Sequence, residues 1–161
     1  MERGVQFAVH SVRWWWKHIG SKRYPESKSL YILADSGGSN GNANRLWKRE
    51  LQTFADATGL TIQVSHYPAG TSKWNKVEHF LFNHIAMNWR GKPLVDMQTV
   101  IKLISSTTSE NGLKVQCRED RKKYPTKIKV TPEEMKLLRI IGEIFRPDWN
   151  YTSKPRFKKL E

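Results

Sequence analysis

The chain has 161 residues, one cysteine and a formal net charge of +13, from 28 Lys and Arg against 15 Asp and Glu. This length suits one domain with a core of its own, and a lone cysteine excludes an intramolecular disulfide and fits a reducing compartment. No apolar run is long enough to span a bilayer, the N-terminus lacks a signal-peptide stretch, and no basic amphipathic helix or lipid anchor is evident. The excess of positive charge therefore points to a polyanion, and a cytoplasmic protein that meets nucleic acid and not membrane is expected.

Val5 to Ile19 reads as a helix, with Val5, Ala8, Val9, Val12, Trp15, Trp16 and Ile19 on one face and Gly20 as its stop. The run Trp14-Trp15-Trp16 offers a stacking platform for bases, but the patterning favours Trp15 and Trp16 as core. Ser21 to Lys28 is a polar connector. Leu30 to Ala34 is a short apolar run that reads as a buried strand, with Asp35 at its carboxyl end and a Gly, Ser and Asn-rich loop from Ser36 to Asn42 after it.

A second helix is predicted over Asn44 to Thr58, with Trp47, Leu51, Phe54, Ala55 and Thr58 on its stripe and Gly59 closing it. Leu60 to Val64 is a second strand and His66 to Ser72 a loop. A third helix follows from Trp74 to Met87, its stripe formed by Trp74, Val77, Leu81, His84 and Ile85, with Glu78 beside that stripe. Helix, strand, helix, strand, helix is an α/β order, with the strands expected parallel through right-handed crossovers. Beyond it come a helix over Met97 to Ile104, two short strands at Leu113 to Arg118 and Lys127 to Val130, a Thr131-capped helix starting Pro132-Glu133-Glu134, and a tail of little periodicity from Phe145.

Two features carry chemistry. Asp35 leaves the carboxyl end of a strand, where open α/β sheets collect functional groups. Glu78 lies one turn inside the helix that follows the next strand, 43 positions later, so both carboxylates can reach one rim of the sheet. Carboxylate oxygens suit hard cations such as Mg²⁺, and two such cations about 4 Å apart activate a nucleophile and stabilise a leaving oxygen in phosphodiester cleavage.

Ile32-Leu33-Ala34-Asp35-Ser36-Gly37-Gly38-Ser39-Asn40-Gly41 resembles the second-aspartate motif of the Rhodopirellula-type DDE transposases, an insertion-sequence family. Lys73-Trp74-Asn75-Lys76-Val77-Glu78-His79 resembles that family's glutamate motif, and Asn88-Trp89-Arg90-Gly91 and Asp148-Trp149-Asn150-Tyr151 are similar to its sequence. The resemblance implies a ribonuclease H-like fold, with Asp35 and Glu78 as the second and third acids of a triad holding Mg²⁺ or Mn²⁺ in a two-metal site. It also implies DNA as partner (transposon ends and target), a homo-oligomer, and association with the bacterial nucleoid.

On this reading residues 1–111 are a partial catalytic core lacking its N-terminal strands, and residues 112–161 a basic C-terminal extension. The family's first aspartate belongs to an earlier strand; no strand with an acidic residue precedes Asp35, and Glu2 is a poor substitute. The expectation is a fragment that does not assemble a complete site alone. A non-catalytic DNA-binding remnant and another ribonuclease H-like nuclease stay open beside it.

Lys73, Lys76 and Arg90 are candidate phosphate contacts, balanced against a solvated charged surface. Arg121, Lys122 and Lys123, and the tail residues Lys154, Arg156, Lys158 and Lys159, read as non-specific backbone contacts. His66, His79 and His84 raise a zinc site, which their spacing and the single Cys117 disfavour. The loop after Asp35 gives Ser-x-Gly-x-x-Gly rather than the dinucleotide fingerprint, and Asp35 opposes a pyrophosphate there.

Overall fold

The computed structural model describes residues 3–38, 41–125 and 127–156. Glu2, Ser39, Asn40, Lys158 and Lys159 lie outside the described residues. The chain forms two compact units, one of residues 1–69 with 124–161 and one of residues 70–123.

The larger unit is built on a four-stranded mixed sheet in the order β1-β2-β4-β3. β1 (Ser29–Ala34) and β2 (Thr61–His66) are parallel, as expected, with Leu30 opposite Ile62 and Ala34 opposite His66. β4 (Asn150–Ser153) runs antiparallel to β2, and β3 (Ile140–Gly142) antiparallel to β4. Two helices, α1 (Arg3–Trp15) and α3 (Arg45–Thr58), pack with one face of this sheet. Val5 and Val9 from α1 join Leu46, Trp47, Leu51, Phe54 and Ala55 from α3, with Ile62, Val64 and Tyr151 from the strands, in a single apolar core.

The ends of α3 explain its boundaries. Asn44 caps the start by accepting from the Trp47 N–H at 3.2 Å, and Gly59 ends the helix in the left-handed region at φ 74°, its N–H donating to the Ala55 carbonyl at 2.8 Å. Gly20, by contrast, is not the stop of the first helix. The chain passes through a π-helical turn (Trp16–Gly20) into α2 (Ser21–Arg23), with Gly20 still helical at φ −59°. A Cβ there would meet the Trp16 ring at 2.7 Å and the Trp15 ring at 2.9 Å, so glycine serves a close approach of the backbone to the indoles. Trp15 and Trp16 are half-buried, and Trp16 packs against the core.

β1 is not the buried strand its apolar run suggests. Its exposure alternates, and Tyr31 and Leu33 are 57% and 52% exposed, while Leu30, Ile32 and Ala34 face the helices. Among the described residues the strand lies at the edge of the sheet, with Leu30 and Ile32 packed against the core. The expected strands at Leu113 to Arg118 and Lys127 to Val130 are absent: the first contributes a single bridge, Thr108 to Lys114. In the second, Ile128 and Val130 instead pack as extended chain on the core, and the Val130 carbonyl accepts from Arg45. α6 (Pro132–Lys136) has the expected capping box, Thr131 and Glu134 exchanging bonds at 3.2 and 2.8 Å.

The β3–β4 hairpin is tied to α3 by Gln52, which is fully buried and fully satisfied. Its amide nitrogen donates to Asp56 and to the Lys154 carbonyl at 2.9 and 2.8 Å; its oxygen accepts from the Arg139 N–H at 2.7 Å and the Ser153 hydroxyl at 3.3 Å.

The smaller unit holds α4 (Lys76–Trp89), preceded by a 3₁₀ turn (Ser72–Trp74), and α5 (Met97–Ser105), whose N-cap is Asp96. The stripe expected of α4 is not a buried one: Ile85 is buried and His84 half-buried, but Trp74 and Val77 are 53% and 79% exposed. Asn88 joins the two helices by donating to the Leu103 carbonyl at 2.5 Å and the Ser106 hydroxyl at 3.0 Å.

Asp56 couples this packing to pH. Burial raises its carboxyl, but hydrogen bonds from the Arg156 side chain (2.6 and 2.9 Å) and backbone (2.7 Å), and from Gln52, outweigh burial and hold it below the usual carboxylate value. A carboxyl depressed in the folded state binds fewer protons there than in the unfolded state, so its stabilisation is present above about pH 4 and is lost as pH falls through the lower folded value. Thermal denaturation of Asp56→Asn is therefore expected to show a lower Tm at neutral pH and a shallower acid limb than the parent; parallel acid limbs would contradict this.

Candidate functional site

The parallel register of β1 and β2 brings their carboxyl ends to one rim, Ala34 opposite His66. Asp35 leaves β1 there with its residue exposed and in no ion pair among the described residues. The Gly-rich loop turns back at once: Gly38 has φ 67°, and a Cβ on Gly41 would meet the Ser36 carbonyl oxygen at 2.9 Å. The glycines thus serve a tight turn.

A chain of hydrogen bonds lies under Asp35. The Trp47 indole N–H donates to the Tyr151 hydroxyl oxygen at 2.9 Å, Tyr151 Oη and His66 Nε2 are 3.0 Å apart, and His66 Nδ1 is 2.9 Å from the Asp35 carbonyl oxygen. The chemistry of each group sets the direction. A carbonyl only accepts, so His66 Nδ1 carries a proton, and the Tyr151 oxygen accepts from the Trp47 indole N–H. A neutral ring lets Nε2 accept from the Tyr151 hydroxyl, so that this proton too has a partner. Burial acts the same way, pushing His66 below its ordinary pKa, with the Asp35 carbonyl opposing and the charge of Lys48 adding to the effect. Burial also pushes the Tyr151 hydroxyl up, against the Trp47 hydrogen bond, which keeps its proton available for His66.

Lys48 of α3 sits over this network, its Nζ 5.0 Å from the Tyr151 ring centroid. Burial lowers its pKa and the charge of Asp148 opposes that. Asp148 belongs to the loop between β3 and β4, which reaches the same rim: Asn150 pairs with Ser65, and the His66 N–H donates to the Trp149 carbonyl at 2.9 Å. That loop, with His66 and Pro68, encloses a cavity of about 480 Å³.

In the smaller unit Glu78 is exposed in the first turn of α4. Asn75 caps the helix by accepting from the Glu78 N–H at 3.4 Å, and its amide donates to the Glu78 carboxylate at 2.8 Å. This reciprocal cap fixes the direction in which the carboxylate leaves the helix. Lys73 and Lys76 are exposed close by in the chain, whereas Arg90 follows the last turn of α4, about 18 Å further along the axis at 1.5 Å per residue. The basic run is partly compensated from within: Arg121 donates to Glu119 at 2.9 Å and the Lys122 N–H to Asp120 at 2.9 Å.

Carboxylate oxygens such as those of Asp35 and Glu78 are donors that Mg²⁺ and Mn²⁺ take. Among the described residues no three His, Cys, Asp or Glu side chains group as a metal site. The sequence reading missed the Trp47–Tyr151–His66 network. Its one signal was Asp148-Trp149-Asn150-Tyr151, a motif inside a segment without periodicity.

Residues 2–155 match a family model described as the Rhodopirellula transposase DDE domain. No curated protein and no solved structure matches the chain.

Tyr151→Phe removes one hydroxyl and leaves two buried groups, the Trp47 N–H and His66 Nε2, without their partner. The expected cost is about 1–3 kcal/mol, a drop of several degrees in Tm measured by thermal denaturation. An unchanged Tm would show that the network does not hold this rim together.

Proposed function

Because the chain belongs to the Rhodopirellula transposase DDE domain family, we propose that it serves metal-dependent cleavage of transposon-end phosphodiester bonds, followed by transfer of the freed 3′-hydroxyl to target DNA. The observation that carries the reading is Asp35, an exposed carboxylate on the carboxyl rim of a parallel strand pair whose backbone is anchored by a buried hydrogen-bond chain.

Asp35 and Glu78 are two of three carboxylates that hold the cations. When bound, Mg²⁺ or Mn²⁺ supplies activation of the attacking oxygen and charge compensation at the leaving one. The residues of the chain do the positioning. His66 fixes the Asp35 backbone, Asn75 fixes Glu78, and neither carboxylate is asked to act as a nucleophile, so no covalent protein–DNA intermediate is needed. Lys73, Lys76 and Arg90, with Arg121, Lys122 and Lys123, contribute salt-sensitive contacts to the phosphate backbone. A ribonuclease H-like core is supported by the parallel β1–β2 pair with α3 as its crossover. A homo-oligomer acting on paired ends, and location at the nucleoid, belong to the same reading.

Asp35→Asn and Glu78→Gln are each expected to lower Mg²⁺-dependent cleavage of a transposon-end duplex about a thousandfold, the equivalent of several kcal/mol of transition-state stabilisation. Affinity for the duplex at fixed salt should persist. Full cleavage by either variant would overturn the assignment. Duplex binding without metal-dependent cleavage by the unaltered protein would establish the non-catalytic DNA-binding reading instead.

A further inference from the structure

Lys48 lies in the first turn of α3, and the network under Asp35 decides where its ammonium sits. The Tyr151 hydroxyl is bonded on both sides, to the Trp47 indole and to His66 Nε2, so its buried ring is fixed in place. The Lys48 ammonium stands over the face of that ring, 5.0 Å from the centroid, where the ring quadrupole attracts a cation. His66 in turn joins Tyr151 to the Asp35 carbonyl oxygen. One tyrosine thus sets both the backbone of Asp35 and the position of a cation beside the carboxyl ends of β1 and β2.

Two costs attach to that position. Lys48 is half-buried, and a cation in the first turn of a helix opposes the helix dipole. Its basic neighbours on α3 are engaged within the fold: Arg45 donates to the Val130 carbonyl at 3.5 Å, and Arg49 pairs with Glu50 at 3.0 Å and with Glu134 at 3.7 Å. The Lys48 ammonium, by contrast, enters no ion pair among the described residues. Asp148 acts on it by charge from beyond ion-pair distance, and burial outweighs that attraction, so the Lys48 pKa is lowered. A half-buried ammonium that has a ring face but no anion beside it is stabilised by an anion arriving from outside.

We propose that Lys48 binds a backbone phosphate of the DNA at the rim where Asp35 leaves β1, with the Tyr151 ring as the seat that holds its ammonium. A phosphodiester supplies the anion that the ammonium lacks, and DNA is the polyanion that a chain of net charge +13 meets. Lysine suits the place because its ammonium is a compact point charge with three donors. It keeps the ring face and still donates to a phosphate oxygen. The assignment rests on the DNA-processing reading above and adds to it a phosphate-binding residue in the larger unit, positioned by the same network that anchors Asp35.

The test is fluorescence anisotropy of the 161-residue chain on a labelled DNA duplex over a series of salt concentrations, with thermal denaturation of each variant beside it. Lys48→Met keeps the apolar stem and removes the charge. It is expected to bind about tenfold more weakly at about 0.1 M salt, with the slope of log affinity against log salt reduced by about one and Tm unchanged. Lys48→Arg restores affinity and slope. Lys136→Met, the same loss of charge at an exposed position on α6, leaves the slope as it was. A slope unchanged in Lys48→Met, an equal loss in Lys136→Met, or a folded Lys48→Arg chain that binds no better than Lys48→Met overturns the phosphate contact and leaves the transposase reading standing. Failure of the unaltered chain to bind the duplex overturns both.

Discussion

The hydrogen-bond chain from Trp47 through Tyr151 and His66 to the Asp35 carbonyl is the constraint on which the carboxyl rim of the parallel strand pair depends. It links four segments that are distant in sequence: helix α3, strand β4, the end of β2 and the turn after β1. Three of its groups are almost fully buried, so each needs its partner. Its direction is dictated by two groups with no choice, an indole that must donate and a carbonyl that must accept. Burial, which lowers the His66 pKa, favours the neutral ring, whose Nε2 takes the Tyr151 proton. An imidazolium in this position would have to donate from both nitrogens, and Tyr151 could then no longer donate to it. The exposed carboxylate of Asp35 is thus held from beneath by its own backbone, leaving its oxygens to solvent and to an approaching cation.

Packing on either side of this chain is arranged to keep it in register. Gln52 performs the same service at the other end of β4, satisfying four partners from α3, β4 and the segments flanking the hairpin. Two fully satisfied polar networks therefore bracket one short, polar strand, Asn-Tyr-Thr-Ser, whose side chains alone would give it little reason to be a strand. The outer edge of the sheet is organised differently. β1 has a partner on one side, and its Tyr31 and Leu33 meet solvent. Parallel strands are ordinarily covered on both faces, so this edge is the place where the unit is least self-sufficient.

The legibility of the sequence follows the same division. Helices α1 and α3, the parallel pair β1 and β2, the closing Gly59 and the Thr131 cap could be read because period, turn chemistry and burial agree there. β3 and β4 could not: they are three and four residues long, and what makes them strands is pairing with β2 and the reach of Gln52, both long-range. Ile128 and Val130 alternate like a strand, yet they serve as extended ballast on the core. Gly20 looks like a helix stop and is instead a gap for two indoles, a distinction that needs the position of rings one turn away. Asp35 and Glu78 were singled out by motif and spacing as the proposed metal-binding pair. Tyr151 and Lys48 were not, because their meaning lies in what they touch rather than in any local pattern.

Asp35 and Glu78 are proposed to hold the same metal ions. The direct measurement is ¹H–¹⁵N NMR of the chain titrated with Mn²⁺, reading paramagnetic broadening of the amides around Asp35 and around Glu78 together. The account predicts that both sets broaden at the same Mn²⁺ concentration and that Asp35→Asn relieves the broadening at both. Broadening confined to one set, or broadening around Glu78 that survives Asp35→Asn in full, would contradict it.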